Sequence, residues 1–571
     1  MKKLRLVFLL LFVLCICAKV PCQEIHEAVE MNDLTLVRNL VERNPELVNA
    51  QDAEGRTPLY LACMSKPWNS ELIALLIEKG ADVNAKNKQG VGILLSTVWS
   101  RNKEAAQILL SKGADVNAED RDGNTSLWWA SNIRFYFYSK DMLELLISNG
   151  ARIPEDKETL RMMLHSAAFH GHKKFVELLI ENGADVKSKN HNDGTFLHSA
   201  SAGGLQEFVE LMSKEGADLN KKNRYGLTPL HMAATRGQRD TCQLLLEKGA
   251  DIHATSIEGK TAYHYALECE FQEVAEYLTA MGADKRPPRF PVLRGEYLGQ
   301  TKPGLIPELF APGIVSTIYY EHTSITFSPD GKEIYWSPEF WNPFMTRILV
   351  TQLINNEWTS PQVASFSGEN WDSNPSFSSD GKKLYFTSAR SAKSGVRSSL
   401  WVVDKKNNGW QEPKPLYSLV SSNRSYQGSS VSKNGNLYFS SRQEDSYGER
   451  DIYRSLFIDG HFSQPENLGD AVNSESYDAF PYIAPDEQYL LFESSRPGGY
   501  GGPDIYISFR RRDGSWTNAV NLGEKINGKG EERFASVSPD GEFLFFSSDR
   551  NGNMDIYWVD AKLIEPLRLG K

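Results

Sequence analysis

Residues 226–251 read GLTPLHMAATRGQRDTCQLLLEKGAD, and this stretch decides the fold of the first half of the chain. Thr228 stands before Pro229. The threonine offers an N-cap oxygen, and proline, lacking an N–H, suits the first turn of a helix. A second helical stretch, DTCQLLLEKG, ends at Gly249, a residue that takes the left-handed conformation closing a helix at no steric cost. Two helices of about eight residues each cannot bury their apolar faces alone, so such a unit has to stack on copies of itself.

The copies are present. Gly-Ala-Asp recurs at Gly80, Gly113, Gly183, Gly216, Gly249 and Gly282, with Gly-Ala-Arg at Gly150, at intervals of 33, 37, 33, 33, 33 and 33 residues. Matching openings are TPLYLA from Thr57, TSLWWA from Thr125, TFLHSA from Thr195 and TAYHYA from Thr261. These residues closely resemble ankyrin repeats over residues 23–285. The resemblance implies an α-solenoid of about eight units, with a groove and a row of hairpin tips for protein partners. The first unit, QEIHEAVEMNDLTLVRNLVERNPELVNAQD, lacks the opening hairpin and reads as a cap.

Two units break the period, one by two residues around Pro67 and Trp68, the other by four in WWASNIRFYFYSKD. Trp128, Trp129, Phe135, Tyr136, Phe137 and Tyr138 make that second insertion densely aromatic. Such a patch either binds a partner or covers the repeat's own core or the second domain. His198, His231 and His264 recur at helix openings and are expected to bond backbone within the turn rather than hold a metal. Cys242 reads as a core filler.

The pattern changes after residue 285. Pro287, Pro288 and Pro291 mark a linker over 286–303. Beyond it a longer repeat runs at 50–54 residues, centred on turns at Asp330, Asp380, Asn434, Asp486 and Asp540. Each turn lies between apolar runs, as in ITFSPDGKEIYWS and ASVSPDGEFLFFSS; Asp-Gly there is a hairpin signal. Asp486-Glu487 departs from it. A third strand follows at Asp451, Asp504 and Asp555, with Ser398 opening the variant in blade two, and a fourth is expected near Trp358, Trp410, Phe462 and Trp516. These motifs resemble WD-like repeats of the TolB type over 304–571, which implies a β-propeller. Five turns imply five blades, with six as the alternative. The last blade is short of a strand, so GLIPELFAPGIVST, ahead of blade one, is expected to close the ring.

Eight residues before each turn residue lie His322, Asp372, Tyr426, Asp478 and Glu532. Equal offsets suggest equal radii, so these side chains are expected to converge at one channel mouth, enriched by Glu321, Trp371, Tyr477, Glu531 and Arg533. Three carboxylates among the five would favour a cationic or hydroxyl-rich ligand. The alternate oxygens of Asp549, Asn551, Asn553 and Asp555 suggest a calcium loop, but the glycine placement and distal glutamate of an EF-hand are missing, and a strand connection is the preferred reading.

At the other end, Lys2, Lys3 and Arg5 precede an apolar run from Leu6 to Ala18. The run is too short for a bilayer span and has the flanks of a signal peptide over 1–22. The chain is therefore expected to be exported, to the periplasm or beyond the cell, without a stable membrane span. Cys63, Cys242 and Cys269 form neither a disulfide framework nor a zinc motif. The formal charge of −10 over 571 residues provides no basic face for nucleic acid. No nucleophile elbow, zinc-protease or phosphate-loop motif falls in its required context. The leading expectation is a non-catalytic protein-interaction scaffold with no cofactor and an unidentified protein partner. The alternatives are glycoside chemistry on a carboxylate pair from Asp372, Asp478 and Glu532, or a glycan- or small-ligand-binding sensor.

Overall fold

The computed structural model describes residues 23–64, 66–121, 123–131, 139–286, 288–317, 324–338, 346–368, 370–390, 399–406, 409–416, 426–551 and 554–569. They form two compact units. One comprises the chain to Asn190, Thr195–Ala217 and Asp240–Leu244; the other comprises His191–Gly194, Asp218–Arg239 and everything from Leu245 onward.

The first unit is a stack of antiparallel helix pairs, among them Pro58–Met64 with Ser70–Glu78 and Phe196–Ala202 with Gln206–Lys214. Its buried face is aliphatic, with Leu59, Ile73, Leu76, Leu109, Leu146 and Val176 at 3 % exposure or less. Throughout the repeats the closing glycines adopt φ between 82° and 96°, the left-handed conformation their place at the helix end requires.

Asparagines tie successive hairpins together. Asn49 donates Nδ2–H to the Gly80 carbonyl (3.0 Å) and accepts the Asp82 amide at 2.8 Å. Asn84 does the same to Gly113 and Asp115, and Asn117 to Gly150 and Arg152. Each amide side chain thus satisfies a carbonyl at the end of the next helix and an N–H just beyond it, a pair that would otherwise need water. The helix-opening histidines behave as expected. The backbone amides of Thr195, Thr228 and Thr261 donate to Nδ1 of His198, His231 and His264 at 3.1, 3.1 and 3.2 Å. Cys242 is fully buried.

The second unit carries the last helix openings, Pro229–Thr235 and Ala262–Glu268, and a five-bladed β-propeller. The innermost strands are Thr326–Phe327, Asp372–Phe377, Tyr426–Val431, Asp478–Ile483 and Glu532–Val537. Blade five is completed by Glu308–Leu309, which pairs antiparallel with Asp555–Asp560 in the register Glu308 to Trp558. The ring closes as the sequence suggested, through this pairing of an early strand with the last one. Within this unit the Tyr225 hydroxyl donates to Asp555, with its two carboxylate oxygens at 3.1 and 3.2 Å.

One expectation needs correction. Trp358, Trp410, Phe462 and Trp516 do not begin the fourth strand. The first two fold back on the end of strand three, Phe462 belongs to a separate two-stranded ribbon, and Trp516 bridges Arg510. The outermost strands start four residues later, at Gln362, Lys414, Glu466 and Val520. Proline precedes three of these starts, at 361, 413 and 465, and lacks the N–H that a continuous ladder would need.

Candidate functional site

The ring of strand starts is a set of anchors. Asp372, Asp478 and Glu532 are each fully buried. Each faces an arginine eighteen residues on: Arg390 at 2.6 Å, Arg496 at 2.7 Å and Arg550 at 3.6 Å. The same guanidinium donates to a carbonyl six residues before the acid, that of Phe366, Val472 or Ile526. The arginine amide donates to the serine two residues back, Ser388, Ser494 or Ser548. In blades two, four and five one arginine thus staples the start of strand one to the end of strand two and to the incoming loop.

Burial, which outweighs every charge partner, raises the carboxyl pKa of both Asp372 and Glu532. In blade three the position is Tyr426, buried at 2 %. His322 lies outside the described residues, as do Glu321, Phe135, Tyr136, Phe137 and Tyr138. Trp128 and Trp129 are half-buried and stack edge to face at 5.0 Å, with Trp99 5.2 Å from Trp129. The Trp129 indole donates to Asp120 at 2.8 Å. These two rings are therefore partly absorbed into their own repeat.

The sequence carried a legible sign of the staples, the tripeptides Ser388-Ala389-Arg390, Ser494-Ser495-Arg496 and Ser548-Asp549-Arg550 after the second strands. A second missed repeat is NLGDAVN at 467–473 and NLGEKIN at 521–527. Asn473 accepts the Ile452 amide and donates to its carbonyl; Asn527 does the same to Ile505. The first asparagine of each motif donates to Asp451 or Asp504, which also accepts the amide of Tyr447 or Tyr500. Those two tyrosines, at equivalent places in blades three and four, are 51 % and 47 % exposed. Buried aspartates thus fix two loops that present aromatic rings to solvent.

The residues that line the central cavity at this end lie two positions further along. A β-bulge interrupts the inner hairpin of blades two to five. At the bulge Asn374, Gly428, Phe480 and Phe534 have φ of 54°, 54°, 48° and 55°. For phenylalanine this is strained backbone, tolerated only where surrounding structure enforces it. The Phe480 and Phe534 rings meet at 4.5 Å, and a Cβ on Gly428 would fall 2.6 Å from Phe480. From this layer to the hairpin turns, the inner strands enclose a cavity of about 410 Å³.

Behind the two rings lies a buried charge pair between blades. Arg533 donates to Glu493, which is fully shielded, at 2.7 Å, and its guanidinium lies over both rings at 5.7 and 5.1 Å. Glu531 completes the group at 3.4 Å from Arg533, its carboxyl pKa raised by burial.

A solenoid of stacked helical hairpins followed by a closed five-bladed ring defines the class: an ankyrin-repeat region joined to a β-propeller. The ankyrin repeats (three copies) family model matches residues 25–120, 98–190, 127–223, 164–256 and 197–288. Among curated relatives, serine/threonine-protein kinase VIK of Arabidopsis thaliana is 44 % identical over 57 residues, 10 % of this chain and 13 % of the kinase. A putative ankyrin repeat protein of Acanthamoeba polyphaga mimivirus is 38 % identical over 65 residues, 11 % of this chain and 6 % of its own length. The rat (Rattus norvegicus) ankyrin repeat and SAM domain-containing protein 6 is 33 % identical over 82 residues, 14 % and 9 %. The chain thus spans only a small part of each relative it matches.

Proposed function

We propose that this protein is an exported, non-catalytic interaction scaffold whose propeller engages a protein partner through the face carrying the strand starts. The observation that carries the reading is the pair Tyr447 and Tyr500. Two half-exposed rings, held at equivalent positions by buried Asp451 and Asp504, are pre-organised aromatic anchors of the kind that dominate interface energetics. The solenoid, braced by its asparagine ladder, offers a second rigid surface of the type repeat proteins use for binding.

The glycoside reading is the weaker one, because Asp372, Asp478 and Glu532 are each engaged by an arginine of their own blade. The reading of a ligand site at the strand-start mouth now rests on the tyrosine loops rather than on those carboxylates. Export rests on the apolar run before residue 22; among the described residues no helix is long and apolar enough to cross a membrane. The TolB-type resemblance of the five hairpins is kept as part of this proposal.

The test is site-specific photo-crosslinking from positions 447 and 500 in the native cell envelope. One protein species cross-linked from both sites, and not from Lys332 on the turn side, supports the reading. A folded protein that cross-links no species from either tyrosine site contradicts it.

A further inference from the structure

The axial cavity lies apart from the tyrosine face and is built asymmetrically. Its open end, at the hairpin turns, is a ring of one exposed residue per blade: Pro329, Ser379, Lys433, Pro485 and Pro539. Its closed end is the bulge layer, where Phe480 lies between Gly428 and Phe534. Between them, one residue past the bulge position, stand Ile325, Pro375, Ser429, Pro481 and Ala535.

Blade three departs from its neighbours in all three layers. Gly428 has no side chain where Phe480 needs room. Ser429 supplies a hydroxyl where four blades are apolar; its Oγ is buried and has no hydrogen-bond partner among the described residues. Lys433 puts an ammonium where the others carry proline or serine, and no carboxylate among the described residues pairs with it. It is the one charged residue in the described lining. The turn carboxylates are drawn back into their own turns, as Asp330 onto Ser328 and Asp380 onto Ser378, and blade three has Asn434 there instead.

We propose that this cavity binds an elongated small-molecule carboxylate, with its acid group at Lys433, an apolar, preferably aromatic body in the channel, and a hydroxyl at the buried end against Ser429. The volume, about 410 Å³, lies within the ~300–1,000 Å³ typical of small-molecule sites. Two further strand residues and the start of the hairpin turn separate Ser429 from Lys433, so their Cα atoms lie at most about 13 Å apart, and the ligand is long rather than compact. The phenylalanine rings at the closed end offer faces and edges for stacking. This inference does not depend on the partner-binding reading, because it concerns the opposite end of the channel.

The test is calorimetric titration of the full chain with hydroxyphenylbutyrate and three analogues: phenylbutyrate, hydroxyphenylbutanol and hydroxyphenylbutylamine. The hydroxy acid should bind saturably, and loss of either the charge or the hydroxyl should weaken it about three- to fivefold. Lys433→Gln should erase the preference for acid over alcohol. Ser429→Ala, which copies blade five's residue, should erase the preference for the hydroxylated acid. Both substitutions fall where other blades carry neutral side chains, and melting curves verify the fold. The proposal is overturned by an amine that binds as well as the acid, by preferences that survive the substitutions, or by no saturable binding below about 10 mM.

Discussion

Arg496 reaches Asp478 across eighteen residues of chain and pairs with it at 2.7 Å, the aspartate wholly buried and the arginine 15 % exposed. The relationship repeats in blades two and five, and it turns a candidate ligand ring into the ring's own framework. An acid in that setting orders the backbone around it. Arg496 satisfies the carboxylate, the Val472 carbonyl and the approach of the next strand with one planar fork of donors.

Removing one partner of a buried pair leaves the other uncompensated. Asp478→Asn is therefore expected to destabilise the propeller by about 3 kcal/mol, a cost that Arg496→Met in the same chain partly restores. Urea denaturation of the single and double variants measures this. Equal stability of Asp478→Asn and the wild type would remove the framework role.

Gly428 and Phe480 form a second testable couple. Gly428→Ala places a Cβ 2.6 Å from the Phe480 ring at a φ of 54°, and should cost about 2 kcal/mol. Shortening the ring in Gly428→Ala/Phe480→Leu should recover part of that cost. Additive losses in the double variant would show that backbone strain alone, and not the ring, demands glycine.

His165 makes the first unit acid-sensitive. Burial, assisted by the Arg161 charge, lowers its pKa from 6.5 to about 3, while Ser199 and Ser188 hold its two ring nitrogens. The folded state keeps the imidazole neutral and the unfolded chain protonates it. The stability this supplies is complete above about pH 6.5 and declines as pH falls towards the folded value. At pH 5 the loss is about 2 kcal/mol. His165→Asn should flatten the dependence between pH 7 and 5; an unchanged slope would assign it to other groups.

Tyr225→Phe deletes the hydroxyl that donates to Asp555 and should cost the second unit about 1.5 kcal/mol. Hydrogen exchange should accelerate around residues 554–557 in that variant. Unaltered exchange there would mean that the carboxylate is satisfied without the tyrosine.

Much of this fold was readable from periodicity. Gly80 to Gly282 recur, all but once at 33 residues, because each helix pair must end in a left-handed residue, and the five turns recur because each hairpin needs a tight reversal. The closing strand was readable from a deficit, since blade five lacked one. The site was harder. Counting eight residues back from a turn fixes a radius but not a direction, and the bulge between Ala479 and Tyr482 breaks the alternation that would assign Asp478 or Phe480 to the axis. The fourth strands were misplaced because Trp358 and its equivalents mark a reversal ahead of the outer pairing. The histidines of the helix openings were read correctly because capping is local.

The most direct test of the scaffold reading is the affinity of the protein cross-linked at positions 447 and 500 for the wild type and for Tyr447→Ala/Tyr500→Ala, measured by surface plasmon resonance. Truncating two anchors of an interface should weaken binding by about 30-fold or more, with the melting temperature unchanged. A double variant that folds normally and binds as tightly as the wild type would contradict the account.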